Sequence, residues 1–435
     1  MPLPAALHRA EFPPEILAVL TRLGGAGHRS WLVGGAVRDL LLDRPRTDFD
    51  LATPATPQQV MALFHRVVPT GIAHGTVTVL VDQAHQVEVT TFRGEGAYLD
   101  GRRPASVTFH TDLVEDLARR DFTMNAMAFD PLAGELADPH GGQRDLAART
   151  IRAVGDPAAR FGEDGLRPLR AVRFAAQLGF ELEPLTLAAI RPALPVVRKV
   201  SQERVSEELS RLVAAPHVAA AVELLADTGL LEVILPPLAA LPPSGRRHAG
   251  DLVAAVPAAP AEPWLRLAAL LHGVAGTEVG PLLDGLRFPR RTSEEAAALV
   301  ARHACLLDGP PEDPRAPAAV RRWLSGVGPG RAPSLLALRD AEVLALPAPE
   351  RASAAGQARA LRSHVEAALA SGAPLSTGAL ALDGKALMAL LGCGPGPHVG
   401  EGLRALLDEA LDDPGVNTPD RLGDLALRWW AGRPV

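Results

Sequence analysis

Asp48 and Asp50 stand two residues apart in the stretch WLVGGAVRDLLLDRPRTDFDLAT, Trp31 to Thr53. Side chains alternate faces along a strand, so these two carboxylates point the same way while Phe49 and Leu51 turn to the other face. Two carboxylates held that close repel, and one takes up a proton unless a cation lies between them. A divalent ion removes the conflict. Mg²⁺ takes one or two carboxylates and fills its remaining positions with water and substrate phosphates. Glu88, in QVEVTTF, is the candidate third carboxylate, brought alongside by another strand of the same sheet. Upstream, an apolar run ends in Gly34-Gly35 and enters a helical pattern at Ala36. Glycines there expose backbone N–H groups, and a helix start adds unpaired donors, so an anion can sit at the turn. Arg38 lies one turn inside, where a guanidinium can reach a phosphate bound at the start. Alone, a Gly-Gly is a tight turn and an Asp-X-Asp is a solvated edge strand. Together they describe a place where phosphates and a metal ion meet.

The elements that must hold these groups follow from periodicity. Up to about Asp130, SWLV, DFDLA, GTVTVLV and QVEVTTF read as strands, and AVRDLLL and TPQQVMALFHRV as helices. That mixture predicts an α/β or α+β head on one small mixed sheet. From about Gly162 strand signals vanish, and GLRPLRAVRFAAQLGF, SQERVSEELSRLVAA and HVAAAVELLADTGLLEVI have apolar residues at helical spacing. Pro236 to Pro263 is rich in Pro, Ala and Gly and reads as a loop-heavy join, after which helical segments resume to LGDLALRWW. No repeat of fixed period is present.

With 435 residues and 47% hydrophobic content the chain supports several domains and a sizeable core, which excludes a disordered protein. Cys305 and Cys393 are the only cysteines, too few for a disulfide framework or a zinc cluster. With no leader-like N-terminus and no uninterrupted apolar span, the expected location is cytoplasmic. A net charge of −6 argues mildly against a chain coated in nucleic acid, although a basic patch can act regardless. Lys199 and Lys385 are the only lysines, so almost all positive charge is arginine.

LVGGAVRD…DFDLAT, ARRDFTMNAMAFD, HGGQRDLAARTIRAVGDP, FGEDGLRPLRAVRFAAQLGF and SQERVSEELSRLV occur in that order from Trp31 to Val213. They resemble the motifs of the class II tRNA nucleotidyltransferases, the family of the bacterial CCA-adding enzymes and poly(A) polymerases. DGKALMALLGCGPGPHVGEGLRALL is similar to that family's tail segment. The resemblance implies a nucleotidyltransferase head over residues 1–150, a nucleotide-selecting helical neck over 151–215, a helical body over 216–360 and a tRNA-binding tail over 361–435. It implies that Gly35 and Arg38 contact the triphosphate, that Asp48 and Asp50 hold the metal, and that Arg120 meets the nucleotide. Asp164, Arg167, Arg170 and Arg173 would line the nucleotide pocket. The implied partners are ATP, CTP and the acceptor stem and 3′ end of tRNA.

If a helix begins at about Asp164, then Asp164 and Arg167 share a face and Arg170 extends the row. Aspartate only accepts hydrogen bonds and arginine only donates them. Cytosine and adenine both pair an exocyclic amine with an unprotonated ring nitrogen, whereas uracil and guanine present the reverse. One Asp–Arg pair therefore accepts C and A and rejects U and G. Arg170 and Arg173 can instead pair with acids such as Glu163. FRGEGAYLDGRRPASV, Phe92 to Val107, carries Gly94, Gly96 and Gly101 with Asp100, Arg102 and Arg103 as polar handles. In the family a loop here is associated with switching the pocket from C to A, so addition of CC alone is disfavoured. Full CCA addition, A addition only and poly(A) synthesis stay open. A nucleotide- or RNA-binding protein without transferase activity is the alternative of a different class. RHAGDLV…LRLAALLHGVA resembles an HD-type phosphohydrolase, with His248 and His272 in suggestive places, but Gly273 replaces the aspartate such a pair needs. A body without hydrolase activity is expected.

Overall fold

The computed structural model describes residues 3–45, 49–81, 86–95, 107–109, 112–257, 262–303 and 316–432. The chain forms two compact units, Met1–Ala240 and Leu241–Val435. Among the described residues no helix is long and apolar enough to cross a membrane.

The first unit is built on a seven-stranded sheet. Its strands are β1 (Trp31–Val33), β2 (Asp50–Thr53), β3 (Val67–Gly71), β4 (Thr76–Leu80), β5 (Gln86–Thr91), β8 (Ala128–Asp130) and β9 (Glu135–Ala137), in spatial order β3-β4-β5-β2-β1-β8-β9. β2 runs antiparallel to β1 and parallel to β5, so the sheet is mixed as expected. β1 lies inside the sheet and is buried along its length, which suits its uninterrupted Trp-Leu-Val run. β5 alternates, with Val87 and Val89 buried and Gln86 and Glu88 exposed. That alternation leaves Glu88 available for chemistry while its neighbours fill the core with Leu32, Leu51, Val77 and Val79.

A two-stranded ribbon, β6 (Arg93–Glu95) with β7 (Val107–Phe109), follows β5. Gly96, Asp100, Gly101, Arg102 and Arg103 of the glycine-rich stretch lie outside the described residues.

Three local readings differ from the structure. The helix expected over TPQQVMALFHRV stops at Leu63, because Phe64 is extended and the β-branched Val67 and Val68 join edge strand β3. Strand pairing does not end at Gly162: β10 (Thr150–Ile151) and β11 (Glu181–Leu182) form a short parallel pair. The proline-rich join contains the helices Pro236–Ala239 and Pro243–Ala255. Proline at the first helical position loses an N–H that has no intrahelical partner anyway, so proline here starts helices.

After the sheet, the helix Arg167–Leu178 packs on Gln202–Val213 and Val218–Thr228. Leu169, Val172, Leu209, Leu212, Val218 and Val222 are all essentially inaccessible. The second unit is helical throughout its described residues; one of its cores gathers Leu324, Val365, Leu387, Leu406, Ala410, Leu422 and Ala426.

Gly142, at the start of the helix Gly142–Ala147, supports the turn that carries the second motif. A Cβ there would lie 2.4 Å from the Thr123 carbonyl oxygen and 2.9 Å from the Met127 side chain. Gly142→Ala is expected to cost about 1–3 kcal/mol and to lower the midpoint of thermal unfolding followed by circular dichroism. An unchanged midpoint would show that the turn yields without cost.

Candidate active site

The backbone turn between β1 and the helix Gly35–Leu41 sets the site. Gly34 has φ of +69° and donates its N–H to the Met127 carbonyl at 3.3 Å, tying the turn to the strand β8 side of the sheet. A Cβ on Gly34 would stand 2.8 Å from Arg120 Nη1. Glycine is therefore favoured by its dihedral, and a side chain here would also push the Arg120 guanidinium aside.

The helix that follows points Arg38 inward. The residue is 9% exposed, and its guanidinium donates from Nε and Nη2 to the two carboxylate oxygens of Asp39 at 2.9 Å each, and from Nη1 to Asn125 Oδ1 at 2.9 Å. Asn125 donates onward to Asp121 Oδ1 at 3.1 Å, which also accepts the Phe122 N–H at 2.8 Å. Asp121 Oδ2 receives Arg170 Nε and Nη2 at 2.9 and 2.7 Å, and Arg170 Nη1 reaches Glu208 Oε1 at 3.3 Å. Arg173 Nε donates to Glu208 Oε2, and its Nη1 to Gln177 Oε1 at 2.6 Å. The guanidiniums of Arg38, Arg170 and Arg173 lie 5.1, 5.4 and 3.8 Å from the centre of the Phe174 ring, within cation–π range.

Burial is the largest single influence on Asp121 and pushes its carboxyl up. The Arg170 charge and the hydrogen bonds from Asn125, Arg170 and Phe122 outweigh it and hold the group at about 2. Burial lowers Arg170 as well, but Asp121 and Glu208 more than compensate and raise it. Arg173, with Glu208 on one side and Arg170 repelling from the other, is lowered by its burial to about 10 and stays charged near neutrality. Arg120 is oriented separately: its Nη2 donates to Asp116 Oδ2 at 3.3 Å, while Arg119 donates to Asp116 Oδ1 from Nε at 3.0 Å and Nη2 at 2.8 Å. Burial raises Asp116, and those two arginines overcome it, so its carboxyl lies below the usual range.

A cleft of about 360 Å³ opens between these groups, lined by Gly34, Gly35, Arg38, Asp50, Arg120, Asp121, Asn125, Arg170, Arg173, Phe174 and Arg211 among others. Asp50 is the exposed first residue of β2, and Glu88 is its direct partner on the parallel neighbour β5. Partners in register carry their side chains on one face, so Glu88 does come alongside. Two exposed carboxylates of this kind form an all-oxygen donor set that suits a hard cation such as Mg²⁺. Asp48 lies outside the described residues.

The structure thus brings Gly35, Arg38, Asp50, Arg120, Arg170 and Arg173 to one cleft, with Glu88 beside Asp50. Asp164 and Arg167 do not line it. The expected shared helical face is not formed, because the helix starts at Arg167 and Asp164 precedes it with extended backbone. Asp164 instead takes a two-pronged contact from Arg204, at 3.2 Å from Nη1 and 2.7 Å from Nη2. Arg167 is buried and donates to Glu163, to the Arg160 carbonyl at 2.8 Å and to the Arg119 carbonyl at 3.0 Å. Arg170 and Arg173 do pair with acids, but with Asp121 and Glu208, not Glu163. Sequence reasoning missed Asp39, Asn125, Phe174, Arg204 and Glu208. A signal existed for Asn125, four residues after Asp121 in the same motif, and for Phe174, which follows Arg173.

Residues 30–152 match the family described as the poly A polymerase head domain, and residues 179–241 match a probable RNA- and SrmB-binding site of polymerase A. The CCA-adding enzyme of Geobacillus stearothermophilus is 38% identical over 418 residues, 94% of this chain and 96% of that one. The chain belongs to the family of the CCA-adding enzymes and poly(A) polymerases. The crystal structure of the Bacillus stearothermophilus CCA-adding enzyme in complex with CTP superposes with a TM-score of 0.76 at 36% identity, covering 96% of this chain and 98% of that one. The Thermotoga maritima CCA-adding enzyme complexed with tRNA shares the fold, with a TM-score of 0.66 at 19% identity over 98% of this chain and 97% of that one. The family resemblance and the mixed-sheet head followed by helices are both borne out.

The Asp121–Arg170 pair gives a pH signature. The folded carboxyl lies near 2 against an ordinary 3.8, so its contribution is complete above about pH 4 and is lost as the pH falls toward 2. Its size is on the order of 2 kcal/mol. Urea unfolding of the native chain and of Asp121→Asn, at about pH 6 and about pH 2.5, is expected to show a large stability gap that narrows at the acid end. A gap independent of pH would mean that the pair is not charged as described.

Proposed function

We propose that this chain is a template-independent nucleotidyltransferase that adds CMP and AMP, drawn from CTP and ATP, to the 3′ end of tRNA. The observation that carries the reading is one cleft in which Asp50 shares space with the guanidiniums of Arg38, Arg120, Arg170 and Arg173. Curated relatives of near-full coverage carry the name CCA-adding enzyme, which favours full CCA addition over poly(A) synthesis. The head, neck, body and tail divide at residues 150, 215 and 360, and a cytoplasmic location accords with a tRNA substrate.

The triphosphate lies against Gly34 and Gly35, where the absence of Cβ atoms leaves the backbone open. Arg38 and Arg120 meet its charge, and both are already aimed by Asp39, Asn125 and Asp116. Charge that develops during transfer is met by groups fixed beforehand, with little reorganisation at the moment of reaction. Asp50 and Asp48 would hold Mg²⁺, with Glu88 in register beside Asp50; bound there, the ion would supply the acidity that activates the primer hydroxyl and steadies the leaving group. The 3′-hydroxyl oxygen forms the new bond to the α-phosphorus, the α–β bond breaks, and pyrophosphate departs. Asp164 accepts from the exocyclic amine of C or A and Arg167 donates to the ring nitrogen. For this, Arg204 and Glu163 release their partners when the base enters. A wrong base leaves polar groups mispaired at roughly 1–3 kcal/mol each. RNA held through backbone contacts should bind more weakly as salt rises.

Purified chain, Mg²⁺, labelled CTP or ATP and tRNA lacking its last one, two or three nucleotides provide the test. Completion of each primer to CCA and no further is expected. Extension without a stop would mean poly(A) synthesis, product only from the primer ending in CC would mean A addition, and no incorporation would leave a binding protein. Asp50→Asn should lower incorporation by about 10²–10³-fold, the kinetic equivalent of losing several kcal/mol of metal anchoring. A smaller loss would remove Asp50 from the metal site.

A further inference from the structure

We propose that the second unit binds a zinc-class divalent cation at His272, His303 and Glu342. Three helical elements converge there. His272 follows the helix Pro263–Leu270, His303 caps the end of Arg290–Arg302, and Glu342 belongs to Ala332–Ala345. One ligand atom from each residue can be chosen so that all lie within 4.8 Å of one another. His272 Nε2 is 2.8 Å from Glu342 Oε1, and the His272 and His303 rings are 4.0 Å apart between centres. Glu342 is 7% exposed, so its carboxylate needs compensation by more than solvent.

The surroundings of the three side chains are those of ligands. A carbonyl oxygen only accepts, so the 2.7 Å contact of His303 Nδ1 with the Val300 carbonyl places the proton on Nδ1 and leaves the Nε2 lone pair free to donate to a cation. Arg339 Nη1 donates to Glu342 Oε2 at 2.8 Å and turns the other oxygen, Oε1, toward His272. Metal-bound histidines and carboxylates are characteristically held by such outer hydrogen bonds. Two imidazoles and one carboxylate select a borderline cation over Mg²⁺ or Ca²⁺, which prefer oxygen alone. Metal–ligand bonds near 2.0 Å at tetrahedral angles separate ligand atoms by about 3.3 Å. The His272–Glu342 contact therefore needs to open by only a few tenths of an ångström. His248, on the helix Pro243–Ala255, has its ring centre 5.7 Å from that of His272, close enough for a rotamer change to supply a fourth ligand. Gly273 provides no further carboxylate, so the site lacks the adjacent His-Asp pair of a phosphohydrolase. Its role is to fasten the ends of helices to one another.

The full chain, stripped with chelator and dialysed, should bind one equivalent of Zn²⁺ by calorimetry, and Co²⁺ in its place should give the intense visible bands of a tetrahedral site. Zn²⁺ at about a hundred times its Kd should raise the midpoint of thermal unfolding by about 5–10 °C, while Mg²⁺ should not. Losing an outer partner weakens metal binding by about 10–100-fold. His303→Ala, which removes a ligand itself, should weaken it by more than about 10²-fold and abolish the Co²⁺ bands. Glu342→Gln should do the same if it folds. His303 is half-buried at a helix end, so His303→Ala should fold, and its circular dichroism without metal should match the parent. No Zn²⁺ binding by the parent chain, or Co²⁺ bands that persist in His303→Ala, would overturn the assignment; the latter outcome would place the cation on other histidines.

Discussion

The ion pair between Asp121 and Arg170 is the contact on which the rest of the site depends. Asp121 belongs to the turn that carries the second motif and Arg170 to the first long helix beyond it, so one two-pronged contact fixes the helix against the turn. Asp121 is buried and Arg170 half-buried. Neither charge is tolerable there alone, and breaking such a pair is far more costly than the pair is stabilising. Its value is geometric: it determines where Phe174, Arg173 and the cleft wall come to lie.

From that pair a hydrogen-bonded relay runs both ways, to Asn125, Arg38 and Asp39 on one side and to Glu208, Arg173 and Gln177 on the other. Four of the guanidiniums that line the cleft each have an acid behind them: Asp39 for Arg38, Asp116 for Arg120, Asp121 for Arg170 and Glu208 for Arg173. Such pairing keeps four like charges close together without unfolding the region. It also leaves them stiff, which is the condition under which electrostatic stabilisation of a polyphosphate is effective. The same logic at smaller scale recurs in the second unit, where Arg339 and the Val300 carbonyl hold Glu342 and His303.

Much of the head was legible. Strands β1, β2, β4 and β5 were found because each is an apolar or alternating run of β-branched residues, and the place of Glu88 followed from strand alternation with the assumption of a shared sheet. Strands β8 and β9, Ala-Phe-Asp and Glu-Leu-Ala, have no β-branched residue and carry too little pattern to be seen. The prolines between Pro236 and Pro263 look like a loop because composition does not distinguish a proline that breaks a helix from one that begins it.

Residue identity and local spacing settled which groups could do chemistry here: the glycine turn, the acids of β2 and β5, and a helix rich in arginine. They could do so because those signals act within a few residues, through dihedral preference and side-chain alternation. Which acid answers which arginine was decided only by the fold. Asp121 with Arg170, Glu208 with Arg173 and Arg204 with Asp164 join residues about forty positions apart. No short-range rule selects among many chemically equivalent carboxylates, because the choice is made by burial and by the packing of helices that bring one of them within reach.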